Sequence, residues 1–343
     1  MTSEEPSGNS LLLRFPRRIW SYVLGGLRTV RRVRGPAAQD LVGRFVLLVP
    51  AFAGSALIIL ILAFLWYEAT PIFLDPQGGP SILVQPIWDP NRDLFGIAVF
   101  IVGSFVCTFL AIAMAVPLGV GAAVFLSEFC PLRIRTSIRM IVEMMAAIPS
   151  IVYGLWAYVV MVPWIRDSFA PAVQSNPLTS WMPWFQGSTN GLSVLAGSTI
   201  LAIMLLPTVV AVSDDALQSV PRTYREASLA LGATKTETAR KIVVSAAIPG
   251  IGAAIVLSLG RAVGETMAVL MVTGNSLQIP YSLFDPTYVM TSIITNQLGY
   301  AFVFPLWRSA LFAVALVLLL MSISFTIIAK WFVRWGMKTR GLV

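Results

Sequence analysis

Two ionisable residues, Arg261 and Glu265, interrupt an apolar stretch that is long enough to cross a membrane. A charge at the centre of a membrane helix costs at least about 2.5–3.5 kcal/mol on insertion scales, so it normally faces a cavity or a partner. The spacing of four residues predicts that both side chains lie on one face of a helix. Arginine presents a planar fork of donors that suits oxyanions. An oxyanion site is therefore one interpretation, and an internal ion pair that joins helices is the other.

The carboxylate of Glu265 suggests a hypothesis about selectivity. It would balance the charge of Arg261 when the site is empty. Because a carboxylate only accepts hydrogen bonds, it can pair with the proton of hydrogen phosphate but repels fully deprotonated sulfate. We expect Arg261, Glu265 and Thr266 to line a substrate pathway. The adjacent Gly260 and Gly264 form a GxxxG pattern, which predicts close helix packing.

The elements that must hold these residues are membrane helices. The 343 residues are 57% hydrophobic and only 12% charged, with a mean hydropathy of +0.80, whereas a soluble domain carries about 25% charged residues. The net charge of +8 does not indicate nucleic-acid binding, because the basic residues flank apolar runs. The chain has no histidine, and Cys107 and Cys130 lack a CxxC spacing. We therefore expect no catalytic centre and no metal site.

Apolar stretches of about 20 residues predict the membrane topology. The fold class expected is an all-α integral membrane protein with six transmembrane helices. The six predicted spans are Phe45–Tyr67, Gly96–Leu126, Ile138–Ile165, Leu192–Val212, Ile248–Val272 and Trp307–Val333. Pro117 and Pro149 lie inside the second and third spans and predict kinks, because neighbouring helices can satisfy the freed carbonyls.

The distribution of basic residues predicts the orientation. Most arginines and lysines lie before the first span, in the loops after the second and fourth spans, and in the tail. By the positive-inside rule, both termini are cytoplasmic. We expect residues 1–44 to form a basic cytoplasmic segment, and residues 45–343 to form a membrane domain with a cytoplasmic loop at 213–247.

The loop at 213–247 carries more local structure than a simple connection needs. Pro221 can begin a helix and Gly232 can end it. Thr234 and Glu237 have the spacing of a capping box, which predicts a second helix. The resulting helix–turn–helix would expose small residues that can enter a groove on a partner, and an ordinary hairpin between spans is the alternative.

Part of this loop resembles a known motif. Glu226-Ala227-Ser228, followed by Leu-Ala-Leu and Gly232, is similar to the EAA motif of ABC importer permeases. The resemblance implies that Glu226, Ala227 and Gly232 belong to a coupling helix that docks into an ATP-hydrolysing subunit. Two positions depart from the motif. Ser228 replaces its second alanine, and Val244-Ser245 stands where Leu-Pro is usual.

Further motifs narrow the resemblance. The string GRAVGETMAV at 260–269 and AIPSIVYG at 147–154 resemble the C-type permease of phosphate-specific ABC transporters, the PstC family. The resemblance implies a type I ABC importer fold in the bacterial cytoplasmic (inner) membrane, with phosphate contacts from Arg261 and Glu265. The implied partners are a homologous A-type permease, two copies of an ATPase and an extracytoplasmic phosphate-binding protein. The chain has no GxxxxGK[ST] loop, so we expect no cofactor here, and ATP and magnesium would be used by the ATPase.

Three other functions remain open from the sequence. The same architecture could import another oxyanion, such as sulfate or molybdate. A secondary anion transporter or a channel could also carry an intramembrane arginine and glutamate, but the six spans show no repeat of two similar halves. A membrane-embedded enzyme is disfavoured because no base–nucleophile constellation is evident.

Overall fold

The computed structural model describes residues 36–75 and 79–339, so the predicted segment 1–44 lies largely outside the described residues. The described part falls into two units, one ending at Ala63 and the other beginning at Phe64. Long helices dominate, and the only strands of the described chain form a two-stranded antiparallel hairpin. The strands are β1 Trp88–Asp89 and β2 Leu94–Phe95. The helices are α1 Pro36–Leu74, α2 Ala98–Phe129, α3 Leu132–Ala146, α4 Ser150–Ser175, α5 Val194–Gln218, α6 Arg222–Ala230, α7 Lys235–Gly264, α8 Met267–Val272, α9 Met290–Ala301 and α10 Pro305–Thr339.

The all-α membrane class predicted from the sequence is confirmed. Among the described residues, five helices are long and apolar enough to cross a membrane, and α3 and α4 together pass the same test. These two helices meet at an angle of 91°, so they form either one broken span or a re-entrant segment. The structure therefore supports five or six crossings.

The predicted third span, Ile138–Ile165, is not one kinked helix. It is divided at Ala147–Pro149 between α3 and α4. Proline disfavours helical geometry in the preceding residue and removes one backbone donor, so the chain turns sharply here. The hydroxyl of Tyr153 donates to the carbonyl of Met145 at 2.9 Å and supports the turn from the other side. At Pro117, by contrast, helix α2 continues without a break.

Helix α5 lies at the centre of the packing. It contacts α2, α3, α7 and α8, and small residues bring the backbones together. A Cβ atom added to Gly119 of α2 would come within 2.6 Å of Val209, and a Cβ atom on Gly197 would come within 2.6 Å of Thr273. Close approach at glycine and alanine is the usual way in which membrane helices gain van der Waals contact. This core fixes α7 and α8, which carry the predicted site.

Candidate functional site

The predicted fifth span, Ile248–Val272, is broken at the predicted site. Helix α7 ends at Gly264, Glu265 has extended backbone angles (φ −72°, ψ 128°), and α8 begins at Met267. The prediction that Arg261 and Glu265 share one face of a continuous helix is therefore wrong. A break inside a membrane is tolerated only where other groups satisfy the freed backbone. The hydroxyl of Thr291 in α9 does so by donating to the carbonyl of Glu265 at 3.0 Å.

The three predicted pathway residues lie side by side at this break. The side chains of Arg261, Glu265 and Thr266 are half-buried. The hydroxyl of Thr266 donates to the carbonyl of Gly264 at 3.4 Å. Within residues 36–75 and 79–339, neither the guanidinium of Arg261 nor the carboxylate of Glu265 forms an ion pair. The arrangement thus gives no support to an internal pair that neutralises itself.

Arg261 lines an open cavity of about 460 Å³. The other walls of this cavity are Thr208, Val256, Leu257 and Gly260. A cationic fork in an otherwise mainly apolar cavity is suited to hold one anion, because poorly solvated charges interact strongly.

The glycines beside Arg261 are not used for packing within the described chain. A Cβ atom added to Gly260 or Gly264 would meet nothing within 4 Å. The predicted GxxxG contact is therefore not made by these residues inside this subunit. This face of α7 is open along the part that carries Arg261.

The start of α4, just after the turn at Pro149, packs against α8, just after the break at Glu265. Gly154 of α4 lies so close to α8 that an added Cβ atom would come within 2.8 Å of the Ala268 backbone and 3.0 Å of the Met271 sulfur. Tyr153, next to Gly154, holds the turn at Pro149 through its bond to the Met145 carbonyl. The sequence contains Tyr153 and Gly154 within AIPSIVYG, but the packing of this segment on α8 could not be read from it.

We expect Gly154→Val to push α4 away from α8. The larger side chain would overlap the Ala268 backbone, and overpacking of this kind costs about 1–3 kcal/mol. Thermal unfolding of the detergent-solubilised protein should therefore show a lower Tm. Gly121→Val is the matched control, because a Cβ atom at Gly121 meets nothing within 4 Å. Equal Tm values for the two variants would contradict this packing.

The predicted helix–turn–helix in the loop at 213–247 is present. Helix α6 is followed by Gly232 in a left-handed conformation (φ +83°). Thr234 and Glu237 form the capping box, with the Thr234 hydroxyl accepting from the Glu237 backbone N–H at 3.2 Å. Glycine suits the turn because it has no Cβ atom to strain it. Helix α5 extends into this loop as far as Gln218, beyond the predicted end of the fourth span.

The surface of this loop combines exposed apolar residues with a concave region. Glu226 and Ala227 are exposed, and Leu231 is 90% exposed. A cavity of about 390 Å³ lies between α6 and the start of α7. Ser228, the departure from the EAA motif, bonds through its hydroxyl to that of Thr238 at 2.9 Å. This bond joins the two helices behind the exposed surface.

The loop is attached to the membrane helices by a charged contact that the sequence reasoning missed. Arg225 of α6 donates to both carboxylate oxygens of Glu128 at the end of α2, at 2.7 and 3.2 Å. It also donates to the carbonyls of Val220 and Leu217 at 2.7 and 2.9 Å. The Glu128 side chain is only 8% exposed. No local signal could have found this pair, because 97 residues separate its members.

A second network joins α3 to the end of α5. The carboxylate of Asp214 is 2% exposed and accepts from Arg135 at 2.9 Å and from Arg139 at 3.3 Å. Gln218 donates to the same carboxylate at 2.6 Å, and Arg139 also contacts Asp215 at 2.8 Å. Buried charges require such paired and hydrogen-bonded surroundings. The network fixes α3 beside the loop that carries α6.

Comparisons with known proteins define the class. Residues 115–336 match the family described as the binding-protein-dependent transport system inner membrane component. The chain belongs to this family, whose members are membrane-embedded permease subunits of ABC transporters.

The chain is also similar to individual permeases, two of which are phosphate permeases. It is 36% identical to the phosphate transport system permease protein PstC of Mesorhizobium japonicum, over 74% of this chain and 78% of that protein. It is 34% identical to PstC of Haemophilus influenzae, over 77% of this chain and 84% of that protein. A probable ABC transporter permease of Bacillus subtilis, YqgH, is 36% identical over 77% of this chain and 84% of that protein. The resemblance to the PstC family is thereby confirmed.

Two solved structures share the fold. The inward-facing methionine ABC transporter MetNI matches with a TM-score of 0.50 and 18% identity, over 73% of this chain and 99% of that chain. A bacterial ABC transporter involved in the import of alginate matches with a TM-score of 0.50 and 14% identity, over 92% of this chain and 98% of that chain. At these identities the likeness concerns the fold alone.

Proposed function

We propose that this chain is the transmembrane permease subunit of an ATP-driven importer of inorganic phosphate, and that it forms half of the translocation pathway. The observation that carries the proposal is the Arg261 guanidinium, which lines an open cavity beside a helix break and has no ion-pair partner in the described part of the chain. The similarity to PstC proteins supports phosphate as the anion.

In this proposal the three residues at the break have different roles. Arg261 binds two oxygens of the anion with its planar fork. Glu265 accepts a hydrogen bond from the protonated oxygen of hydrogen phosphate and disfavours a fully deprotonated oxyanion such as sulfate. The Thr266 hydroxyl, now bonded to Gly264, supplies a further donor when it turns towards the anion. The chain makes and breaks no covalent bond, so its role is transport and not catalysis.

The proposed topology has six spans, with α3 and α4 counted as one broken span. Both termini lie in the cytoplasm, because basic residues concentrate on that side. Residues 1–44 form a basic cytoplasmic segment and residues 45–343 form the permease domain. The membrane is the bacterial cytoplasmic (inner) membrane, in keeping with the family description.

The proposed partners correspond to separate surfaces. The open face at Gly260 and Gly264 lies opposite a homologous A-type permease, which completes the pathway. Glu226, Ala227 and Gly232 dock into a dimer of ATP-binding subunits, which use ATP and magnesium. An extracytoplasmic phosphate-binding protein delivers the anion. Movement of α6 reaches the spans through the contact between Arg225 and Glu128.

Import of another oxyanion is the second candidate function, since the Arg261 fork binds sulfate or molybdate equally well in geometry. A secondary anion transporter is less well supported, because it would leave the exposed α6 surface without a partner. Co-purification of an ATPase with this permease would exclude the secondary transporter.

The selectivity of the proposed site can be tested at Glu265. We expect Glu265→Gln to slow ATP-dependent phosphate uptake by the reconstituted transporter and to make sulfate a better competitor. The neutral amide accepts a weaker hydrogen bond from the phosphate hydroxyl, and it can donate to an unprotonated sulfate oxygen that the carboxylate repels. Glu143→Gln is a suitable control, because this carboxylate is 52% exposed on α3. Unchanged phosphate uptake with unchanged competition by sulfate would refute the proposed role of Glu265.

A further inference from the structure

A second groove lies between α7 and α10 and adjoins the Arg261 cavity, with which it shares Val256 and Leu257. Its volume is about 590 Å³, within the range of roughly 300–1,000 Å³ that is typical of ligand clefts. The α7 side of the groove contains small and branched residues, Gly252, Ala253, Val256 and Leu257. Val333 of α10 packs on Gly252 so closely that an added Cβ atom would come within 2.4 Å. The floor of the groove is therefore formed by close helix packing, and its walls are mainly apolar.

Two cations border this apolar groove. Lys330 and Arg334 lie one turn apart on α10, and both side chains are exposed. Neither forms an ion pair within the part of the chain that the structure describes. Apolar walls with two cations at one edge match an acyl chain joined to an anionic headgroup.

The position on α10 favours a lipid over a free anion. Trp331 and Trp335 on the same turns are 60% and 58% exposed, and such tryptophans mark the depth of lipid headgroups. A free phosphate ion would gain nothing from the apolar walls. The basic residues at 1–34 of this chain would be repelled by Lys330 and Arg334.

We propose that the groove formed by Gly252, Ala253, Val256 and Leu257 with Lys330 and Arg334 binds an anionic phospholipid, with its headgroup phosphate on the two cations and an acyl chain along α7. Arg261 is not part of this groove, although Val256 and Leu257 also line the Arg261 cavity. The proposal does not depend on which anion is transported.

The test measures lipid retained by the assembled transporter. The complex is purified from bilayers of phosphatidylcholine with or without phosphatidylglycerol, and bound lipid is counted by native mass spectrometry. Each basic side chain near an anionic lipid is worth about fivefold in affinity. We therefore expect K330Q/R334Q to bind phosphatidylglycerol about 25-fold more weakly. R133Q/R240Q removes the same charge elsewhere and should bind it normally.

A second variant tests the contribution of the apolar groove independently of the two cations. Ala253→Leu should fill the groove and weaken retention while both cations remain. Equal retention by K330Q/R334Q and the unmodified protein would overturn the proposal. Equal retention of the two lipids would also overturn it, because the groove would then be a purely apolar contact. Displacement of bound lipid by free phosphate, or retention only when the partner permease is absent, would assign the groove to another occupant and equally refute the proposal.

Discussion

Arg261→Ala is expected to abolish phosphate uptake while leaving the protein in the membrane. Each charge-assisted hydrogen bond contributes roughly 1.5–3 kcal/mol, so losing two of them should weaken anion binding by at least about 100-fold. The alanine variant also loses the one charged residue that residues 36–75 and 79–339 place in the wall of the 460 Å³ cavity. Arg261→Lys should keep partial activity, because the charge remains but the planar fork is lost.

The measurement is uptake of radiolabelled phosphate in cells whose only permease of this type carries the variant, with membrane levels and ATPase binding checked. Leu257→Ala is the matched control, since it changes a wall of the same cavity without changing its charge. Normal uptake by Arg261→Ala would remove this residue from the pathway. The assignment of phosphate would then depend on similarity to other permeases alone.

Glu128→Gln is expected to uncouple ATP hydrolysis from transport. The change leaves the Arg225 guanidinium without its carboxylate partner, and breaking such a pair where it is poorly hydrated costs roughly 3 kcal/mol. Helix α6 would keep its bonds to Leu217 and Val220 but lose its direct connection to α2. We expect ATP hydrolysis to continue while uptake falls by about tenfold or more.

A pair in the same loop gives the control for this variant. Lys241 contacts Glu237 at 3.3 Å with side chains 70% and 46% exposed, and exposed pairs contribute at most about 1 kcal/mol. Lys241→Gln should therefore leave both ATP hydrolysis and uptake close to normal. If Glu128→Gln lowers hydrolysis and uptake in proportion, or changes neither, the contact does not transmit movement.

The features that could be predicted from sequence depend on local chemistry. The turn at Gly232 and the capping box of Thr234 and Glu237 are properties of a few adjacent residues, and they were predicted correctly. The membrane class follows from composition in the same way. Glu226, Ala227 and Gly232 lie in the helix–turn–helix that was expected in this loop, and their docking to an ATPase stays a prediction.

The features that sequence did not reveal depend on distant groups. A helix across Glu265 is reasonable from spacing alone, and it is broken because Thr291, on another helix, satisfies the freed carbonyl. The sharp turn at Pro149 likewise uses Tyr153 on its far side. A proline inside an apolar run predicts a weak point, but the angle of 91° at Pro149 and the close packing of Gly154 on α8 involve residues far apart in the sequence.

In the proposed anion site, the break at Glu265 allows the affinity for the anion to change as the helices move. Arg261 belongs to α7, whereas Glu265 starts the extended connection to α8. A single helix would carry both charges at one fixed separation. With two segments, a small tilt of α7 against α8 changes the distance between cation and carboxylate, and with it the affinity. The proposed ATP-driven transport requires alternating tight and weak binding, and a broken helix allows both states with the same side chains.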